Sequence, residues 1–192
     1  MTRDDYLLDN QQAEAGERFD ALAELFNPST FQRMDAIGLT PGWRVWEVGA
    51  GGASVPSWIA ARTKGYVLAT DLDTSWLEGA SAPYVVKRHD IGTDPAPDGL
   101  FDLVHARLVL VHVPERRSAL LTMISAVRPG GWLFLEEADP GPSAARLSRR
   151  VWRRTASRQQ AQTRVSNPDV PAGGGPFLRT DSSETAAVGR DD

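Results

Sequence analysis

Short apolar runs alternate with helical segments from Trp43 to Glu136, and this alternation constrains the fold more than any other feature. The runs predict strands over residues 44–48, 66–70, 84–88, 101–106 and 132–136, and the segments between them predict helices over 55–63, 74–79 and 115–127. The runs are rich in Val, Leu and Phe and lack polar alternation, which is typical of strands buried on both faces of a parallel sheet. The sequence therefore predicts an α/β fold with a doubly wound, mostly parallel sheet of five strands in the order 3-2-1-4-5.

Ahead of this core lies an amphipathic helix whose apolar residues recur at helical spacing: Phe19, Leu22, Ala23 and Phe26. Asn27-Pro28-Ser29 predicts its end, and Thr30 is the expected cap of a second helix over residues 31–37. We expect one domain over residues 1–140, made of a helical lid (1–39) and a ligand-binding core (40–140).

Residues 141–192 form a basic, low-complexity tail, for which the composition predicts a partial helix over 144–158 and disorder beyond about residue 166. The fifth strand would then present an unpaired edge. One hypothesis is that the tail is a truncated or altered end that weakens ligand binding. The alternative is that its arginines form a basic helix for nucleic acid or an anionic membrane.

Composition excludes several classes of function. The 192-residue chain has no cysteine, so disulfides, thiolate metal sites and a cysteine nucleophile are ruled out, and we expect no metal site. Residues 1–140 hold twelve Lys and Arg against twenty Asp and Glu, an acidic balance that argues against nucleic acid as the main partner. No run reaches the roughly 18 apolar residues of a membrane span, so we expect a cytoplasmic protein.

A glycine-rich turn, Gly49-Ala50-Gly51, follows the first strand and leads into a helix. Such a turn lets the backbone approach a ligand closely, although a simple tight turn remains an alternative. Glu47 stands two residues earlier, where its charge would repel the pyrophosphate of a dinucleotide. It would attract the ammonium and sulfonium of S-adenosylmethionine instead, and this cofactor is the one that the turn favours.

Three further segments complete the predicted cofactor site. Asp71, at the end of the second strand, is placed to accept hydrogen bonds from ribose hydroxyls, with Leu72 beside it; Asp73 is expected to act as a local cap. Asp90 and Ile91 follow the third strand and are candidates for contacts with the adenine, unless Asp90 is an ordinary turn residue. At the end of the fourth strand, the backbone of His105 and Ala106 should border the methionine part, with Arg107 next to it.

By these residues the chain resembles class I S-adenosylmethionine-dependent methyltransferases, especially the UbiE-like and type 11 or type 25 domains. The resemblance covers about residues 5–140 and rests on five segments in order: Glu47-Val-Gly-Ala-Gly-Gly-Ala, Asp71, His89-Asp90-Ile91, Phe101-Asp-Leu-Val-His-Ala-Arg and Val127-Arg-Pro-Gly-Gly-Trp-Leu. It implies methyl transfer to a small-molecule acceptor. Tyr6, Arg18 and Phe19 lie on an N-terminal segment that is a candidate lid over the cofactor, with the core and solvated faces of an ordinary helix as the alternative.

The sulfonium is already an activated methyl donor, so alignment of the acceptor is the main requirement and a general base is optional. His105 and His112 are weak candidates for such a base, since packed histidines are the commoner case. Arg107 could hold an anionic substrate group or pair with a surface acid. Two other functions remain open: a catalytically inactive binding module that keeps the pocket, and, more remotely, an NAD-dependent oxidoreductase.

Overall fold

The structure is a computed structural model that describes residues 15–77, 82–138 and 147–154. Its elements in chain order are α1 (Ala15–Ile37), β1 (Val45–Val48), α2 (Ser54–Thr63), β2 (Val67–Asp71), β3 (Val85–Arg88), β4 (Phe101–Arg107), α3 (Arg116–Ala126), β5 (Val127–Ala138) and β6 (Leu147–Arg153). No helix in these ranges combines the length and apolar character that crossing a bilayer takes.

The described strands form one sheet in the order β3-β2-β1-β4-β5-β6. The first five are parallel, with Val48 opposite Thr70 on one side and opposite Ala106 on the other. The predicted order 3-2-1-4-5 is therefore confirmed. The carboxyl ends of β1, β2 and β4 meet at one edge of the sheet, where ligands of doubly wound folds bind.

A sixth strand corrects two expectations about the tail. β6 pairs with β5 in antiparallel fashion over its whole length, so the described part of the sheet has six strands rather than five. The helix expected over 144–158 is a strand at 147–153, and β5 has a paired edge where an open one was expected. Trp132, Leu133 and Leu135 supply an apolar ladder for a partner strand, and this tertiary pairing outweighs the local helical preference of the arginines. The sheet thus continues past residue 140, where the sequence placed a domain boundary.

Two apolar clusters cover the two faces of the sheet. Met34 of α1 and Ile59 of α2 pack with Val45, Val67 and Phe134 on one face. The opposite face packs Met123 of α3 with a second set: Trp46, Leu68, Val104 and Leu135. β1 and β2 are buried throughout, as the apolar runs predict, whereas β3 is largely exposed and does not fit the expectation of strands buried on both faces.

α1 is one continuous helix, and the predicted break at Asn27-Pro28-Ser29 is wrong. Pro28 lies inside the helix and cannot donate a backbone hydrogen bond. The side chains on either side make tertiary bonds instead: Asn27 accepts from Arg107, and Thr30 donates to Glu136. Thr30 is therefore not the cap of a second helix.

The helix predicted over 74–79 is also absent as far as the structure describes it, since residues 75–77 form turns. Positions 78 and 79 lie outside the described residues, as does Tyr6.

Candidate functional site

The glycine turn between β1 and α2 forms the floor of the candidate site. Gly49 and Gly51 have φ angles of +59° and +62°, a backbone conformation that favours glycine. A β-carbon on Gly51 would lie 2.7 Å from Cε1 of Phe19, and one on Gly49 would lie 2.5 Å from Cγ2 of Val109. The turn therefore needs glycine at both positions, for its conformation and for its close neighbours.

A cleft opens above this turn at the carboxyl end of the sheet. It encloses about 410 Å³, part of it open to solvent. Its lining comes from the glycine turn, from α1 and from the end of β4: Phe19, Leu22, Gly49, Ala50, Gly51, Gly52, Ser54, Arg107 and Leu108. Of the sequence-predicted cofactor residues, the structure places Gly49, Ala50, Gly51 and Arg107 in this lining.

Asp71 lies directly behind the turn. One carboxylate oxygen, Oδ2, accepts the Gly51 N–H at 2.8 Å, and the other, Oδ1, accepts the Asp73 N–H at 3.2 Å. Burial raises the pKa of this carboxyl above its ordinary value, although the backbone hydrogen bonds oppose the shift. Asp71 thus connects the end of β2 to the turn after β1. Asp73 acts locally, since its Oδ1 accepts the Ser75 N–H at 3.0 Å, and Leu72 is exposed.

The loop after β3 is held by its own side chains. Asp90 Oδ1 accepts the Gly92 N–H at 2.9 Å, the turn role that the sequence left open as the alternative to an adenine contact. Ile91 is buried in the core cluster beneath α3. His89 is also buried, and its Nε2 donates to the carbonyl oxygen of Pro95 at 2.9 Å. Neither Asp90 nor Ile91 is among the residues that line the cleft.

At the end of β4, the predicted residue Arg107 and the next residue, Leu108, line the cleft. His105 and Ala106 are both wholly buried, whereas Arg107 and Leu108 line the cleft. Leu108 has a φ of +58°, which turns the chain sharply out of the sheet. The guanidinium of Arg107 donates to Asn27 Oδ1 at 2.9 Å and to Thr30 Oγ1 at 3.3 Å. Both of these partners are uncharged residues of α1.

Glu47 and His105 form part of a buried charged cluster. His105 Nδ1 lies 2.7 Å from Glu47 Oε2, and His105 Nε2 lies 3.3 Å from Glu136 Oε2. The carboxylate of Glu47, which was expected to attract a cationic cofactor, is therefore already in contact with the imidazole of His105. Glu47 is nevertheless the penultimate residue of β1 and Asp71 the last residue of β2, and these two neighbouring parallel strands end at the same edge of the sheet.

His112, the second candidate base, is half-buried in a short 3-10 turn, Leu110–His112. Burial lowers its pKa, and the positive charge of Arg18 lowers it further. Glu137 supports this turn by accepting the N–H groups of Leu110 and Val111 at 3.0 and 3.3 Å. His112 is not part of the cleft lining.

Sequence reasoning missed several residues of the site. Leu22 was assigned only to the apolar face of α1, and Gly52, Ser54 and Leu108 were not predicted to line the cleft. Glu136 was not considered, although a carboxylate at the end of an apolar strand is an unusual feature that could have identified it. Its partner, Thr30, could not be found in this way because the bond joins residues 106 positions apart.

The sheet order, the glycine turn and the acid at the end of β2 together define a Rossmann-like domain with a ligand site at the switch between β1 and β4. Comparison with known proteins narrows this class. A family model described as a methyltransferase domain matches residues 46–135. That segment contains the glycine turn, Asp71 and all of β4.

Relatives and solved structures agree with this match. The chain is 34% identical over 129 residues to methyltransferase str2 of Strobilurus tenacellus, covering 64% of this chain and 45% of that protein. It is 33% identical over 116 residues to a ubiquinone biosynthesis O-methyltransferase of Burkholderia thailandensis, covering 56% and 50%. The chain thus spans about half the length of the curated relatives it matches. Among solved structures, the DhpI–SAM–HEP complex is similar with a TM-score of 0.55 and 21% identity, covering 68% of this chain and 63% of that one. Residues 46–135 therefore match a methyltransferase domain, and the described sheet has the strand order of a Rossmann-like fold.

Proposed function

We propose that the chain transfers a methyl group from S-adenosylmethionine to a small-molecule acceptor. The observation that carries the proposal is the bond between the Asp71 carboxylate and the Gly51 N–H at the floor of the cleft. It joins the carboxylate that we assign to the ribose hydroxyls to the glycine-rich turn that lines the cleft. The matched family and the relatives named above support the same activity.

The residues around the cleft suit this cofactor. Gly49 and Gly51 let the turn lie directly against Val109 and Phe19, whose side chains occupy the positions that β-carbons would take. A carboxylate has about four lone-pair sites, so Asp71 can keep its two backbone bonds and still accept bonds from ribose hydroxyls. The adenine contact of Asp90 and Ile91, after β3, stays a proposal from the sequence, because neither residue lines the cleft. Glu47 would act on the cationic part at a distance, through the charge that remains after pairing with His105.

When bound, the cofactor supplies a methyl group already activated by the sulfonium. The protein then has to orient the acceptor and exclude water. Phe19 and Leu22 of α1 cover the glycine turn and serve the second purpose. Arg107 is the only ionisable side chain among the described lining residues, and its guanidinium bonds to α1. Proximity and orientation, rather than acid–base groups of the lining, are therefore expected to provide most of the rate enhancement.

Methyl transfer is tested by incubating the full chain with S-adenosylmethionine and small acceptors while measuring S-adenosylhomocysteine by mass spectrometry. The acceptors are phenols, carboxylic acids and amines, with phenols first because one relative is named as an O-methyltransferase. We expect turnover with at least one acceptor. We also expect Asp71→Asn to lower it at least tenfold, and Asp73→Asn, a matched change two residues away, to lower it less than threefold.

Two results would contradict the proposal. Equal effects of the two substitutions would remove Asp71 from the cofactor site. Binding of the cofactor without product from any acceptor class would instead favour an inactive binding module.

A further inference from the structure

A row of buried ionisable groups crosses the sheet beneath α1. Glu47 of β1, His105 of β4 and Glu136 of β5 are exposed by 2%, 0% and 0%. The imidazole of His105 lies between the two carboxylates, with one ring nitrogen facing Oε2 of each. Neither His105 nor Glu136 lines the cleft, so the proposed reaction does not use them directly.

The geometry fixes the charge of His105. A neutral imidazole has one N–H, so its second nitrogen would turn a lone pair toward a carboxylate oxygen. A hydrogen on both nitrogens satisfies both contacts. Burial by itself would lower the pKa of His105, but the charge of Glu47 and the hydrogen bonds to Glu136 and Glu47 outweigh it and raise the pKa to about 9. Glu47 and Glu136 are the charged groups that the described structure places against this ring.

The cluster reaches α1 through one hydroxyl. Thr30, wholly buried in α1, donates to Glu136 Oε2 at 2.6 Å and accepts from Arg107 at 3.3 Å. Arg107 also donates to Asn27, on the other side of Pro28. α1 is therefore fastened to β4 and β5 at the point where its own hydrogen-bond ladder is interrupted by proline.

We infer that His105 is a positioning residue: by holding Glu136 in place for Thr30, it keeps α1 across the cofactor cleft. Phe19 and Leu22 belong to the same helix and form the wall opposite the glycine turn. A substitution in the cluster should therefore weaken ligand binding in the cleft, although His105 does not contact the ligand. The predicted effect on cofactor binding rests on the proposed function. The predicted effect on the position of α1 does not, because it can be measured on the protein without ligand.

Two variants test the link between the cluster and α1. Thr30→Val removes the hydroxyl and keeps the shape of the side chain. Thr63→Val is the matched control, because Thr63 is also wholly buried and its hydroxyl donates to Ile59 O within α2. We expect Thr30→Val to raise backbone amide exchange over residues 16–27 and to weaken S-adenosylhomocysteine binding about tenfold, as for loss of a buried bond to a charged acceptor. For Thr63→Val we expect wild-type exchange there and less than a twofold change in binding.

The outcomes separate the inference from the proposed function. Wild-type exchange and binding in Thr30→Val would overturn the inference and leave methyl transfer untouched. Failure of the wild-type protein to bind S-adenosylhomocysteine would refute the function, and the exchange comparison, which needs no cofactor, would still decide whether Thr30 holds α1.

A third measurement needs no variant of the cluster. The chain has three histidines, so nitrogen-15 NMR of the imidazoles can follow each ring, with His89→Gln and His112→Gln used for assignment. We expect both His105 nitrogens to carry protons at pH 8 while His112 is neutral. A neutral His105 at this pH would overturn the inference even if Thr30→Val failed to fold.

Discussion

Replacing Gly51 by alanine adds a methyl group where Phe19 of α1 lies against the glycine turn. Two costs can be worked from the structure. The φ of +62° is one that alanine rarely adopts, which costs about 1–2 kcal/mol. The new β-carbon would also lie 2.7 Å from Phe19 Cε1, so the ring has to move. Because Phe19 is only half-buried, that displacement should cost about 1 kcal/mol, near the low end for overpacking. We expect Gly51→Ala to lower the free energy of unfolding by about 2–3 kcal/mol.

Gly38→Ala is the control that separates these costs. Gly38 has a φ of +88°, and a β-carbon there would meet nothing within 4 Å, so only the backbone cost applies. Urea unfolding of both variants should therefore show a larger loss for Gly51→Ala, by about 1 kcal/mol. In a Phe19→Ala background the difference between the two should disappear. Equal losses in the wild-type background would refute the placement of α1 against the glycine turn.

Two further predictions concern stability. His105→Gln should cost on the order of 3 kcal/mol near pH 6. The raised pKa of about 9 in the folded protein, against 6.5 in the unfolded chain, means that the stabilisation is complete below pH 6.5, declines above it and is absent above pH 9. Unfolding measured from pH 6 to 10 should show the gap to wild type closing as the pH rises; a gap that widens would contradict the charged imidazole. Met34→Ala should cost about 2–5 kcal/mol, because Met34 is wholly buried between α1 and the sheet, and a loss below 1 kcal/mol in urea unfolding would contradict that packing.

Most of the sheet could be predicted because its strands are continuous apolar runs separated by glycine or proline. The order of the first five strands is the one expected of Rossmann-like sheets, and the right-handed crossover rule is consistent with it. β6 could not be predicted, because its arginines lack any strand period and the strand is specified by pairing with β5. The break at Pro28 was wrong for a similar reason: bonds from Arg107 and Glu136 hold the helix together where the local sequence predicts its end.

The parts of the candidate site that belong to a local sequence motif could be predicted. Gly49, Gly51 and Asp71 follow strand ends at a spacing that the fold requires, and the structure brings them together. Arg107 at the end of β4 was predicted, whereas Leu108 was not, because the sequence does not indicate its positive φ angle. The pairing of Glu47 with His105 joins two strands 58 residues apart and depends on their register.

The proposed function requires the cleft above Gly49–Gly52 to bind S-adenosylmethionine and its product, S-adenosylhomocysteine, rather than a dinucleotide. Calorimetric titration of the full chain with S-adenosylhomocysteine and, separately, with NAD⁺ tests it most directly. We expect saturable binding of one S-adenosylhomocysteine per chain and no measurable heat with NAD⁺. Saturable binding of NAD⁺, with none for S-adenosylhomocysteine, would contradict it.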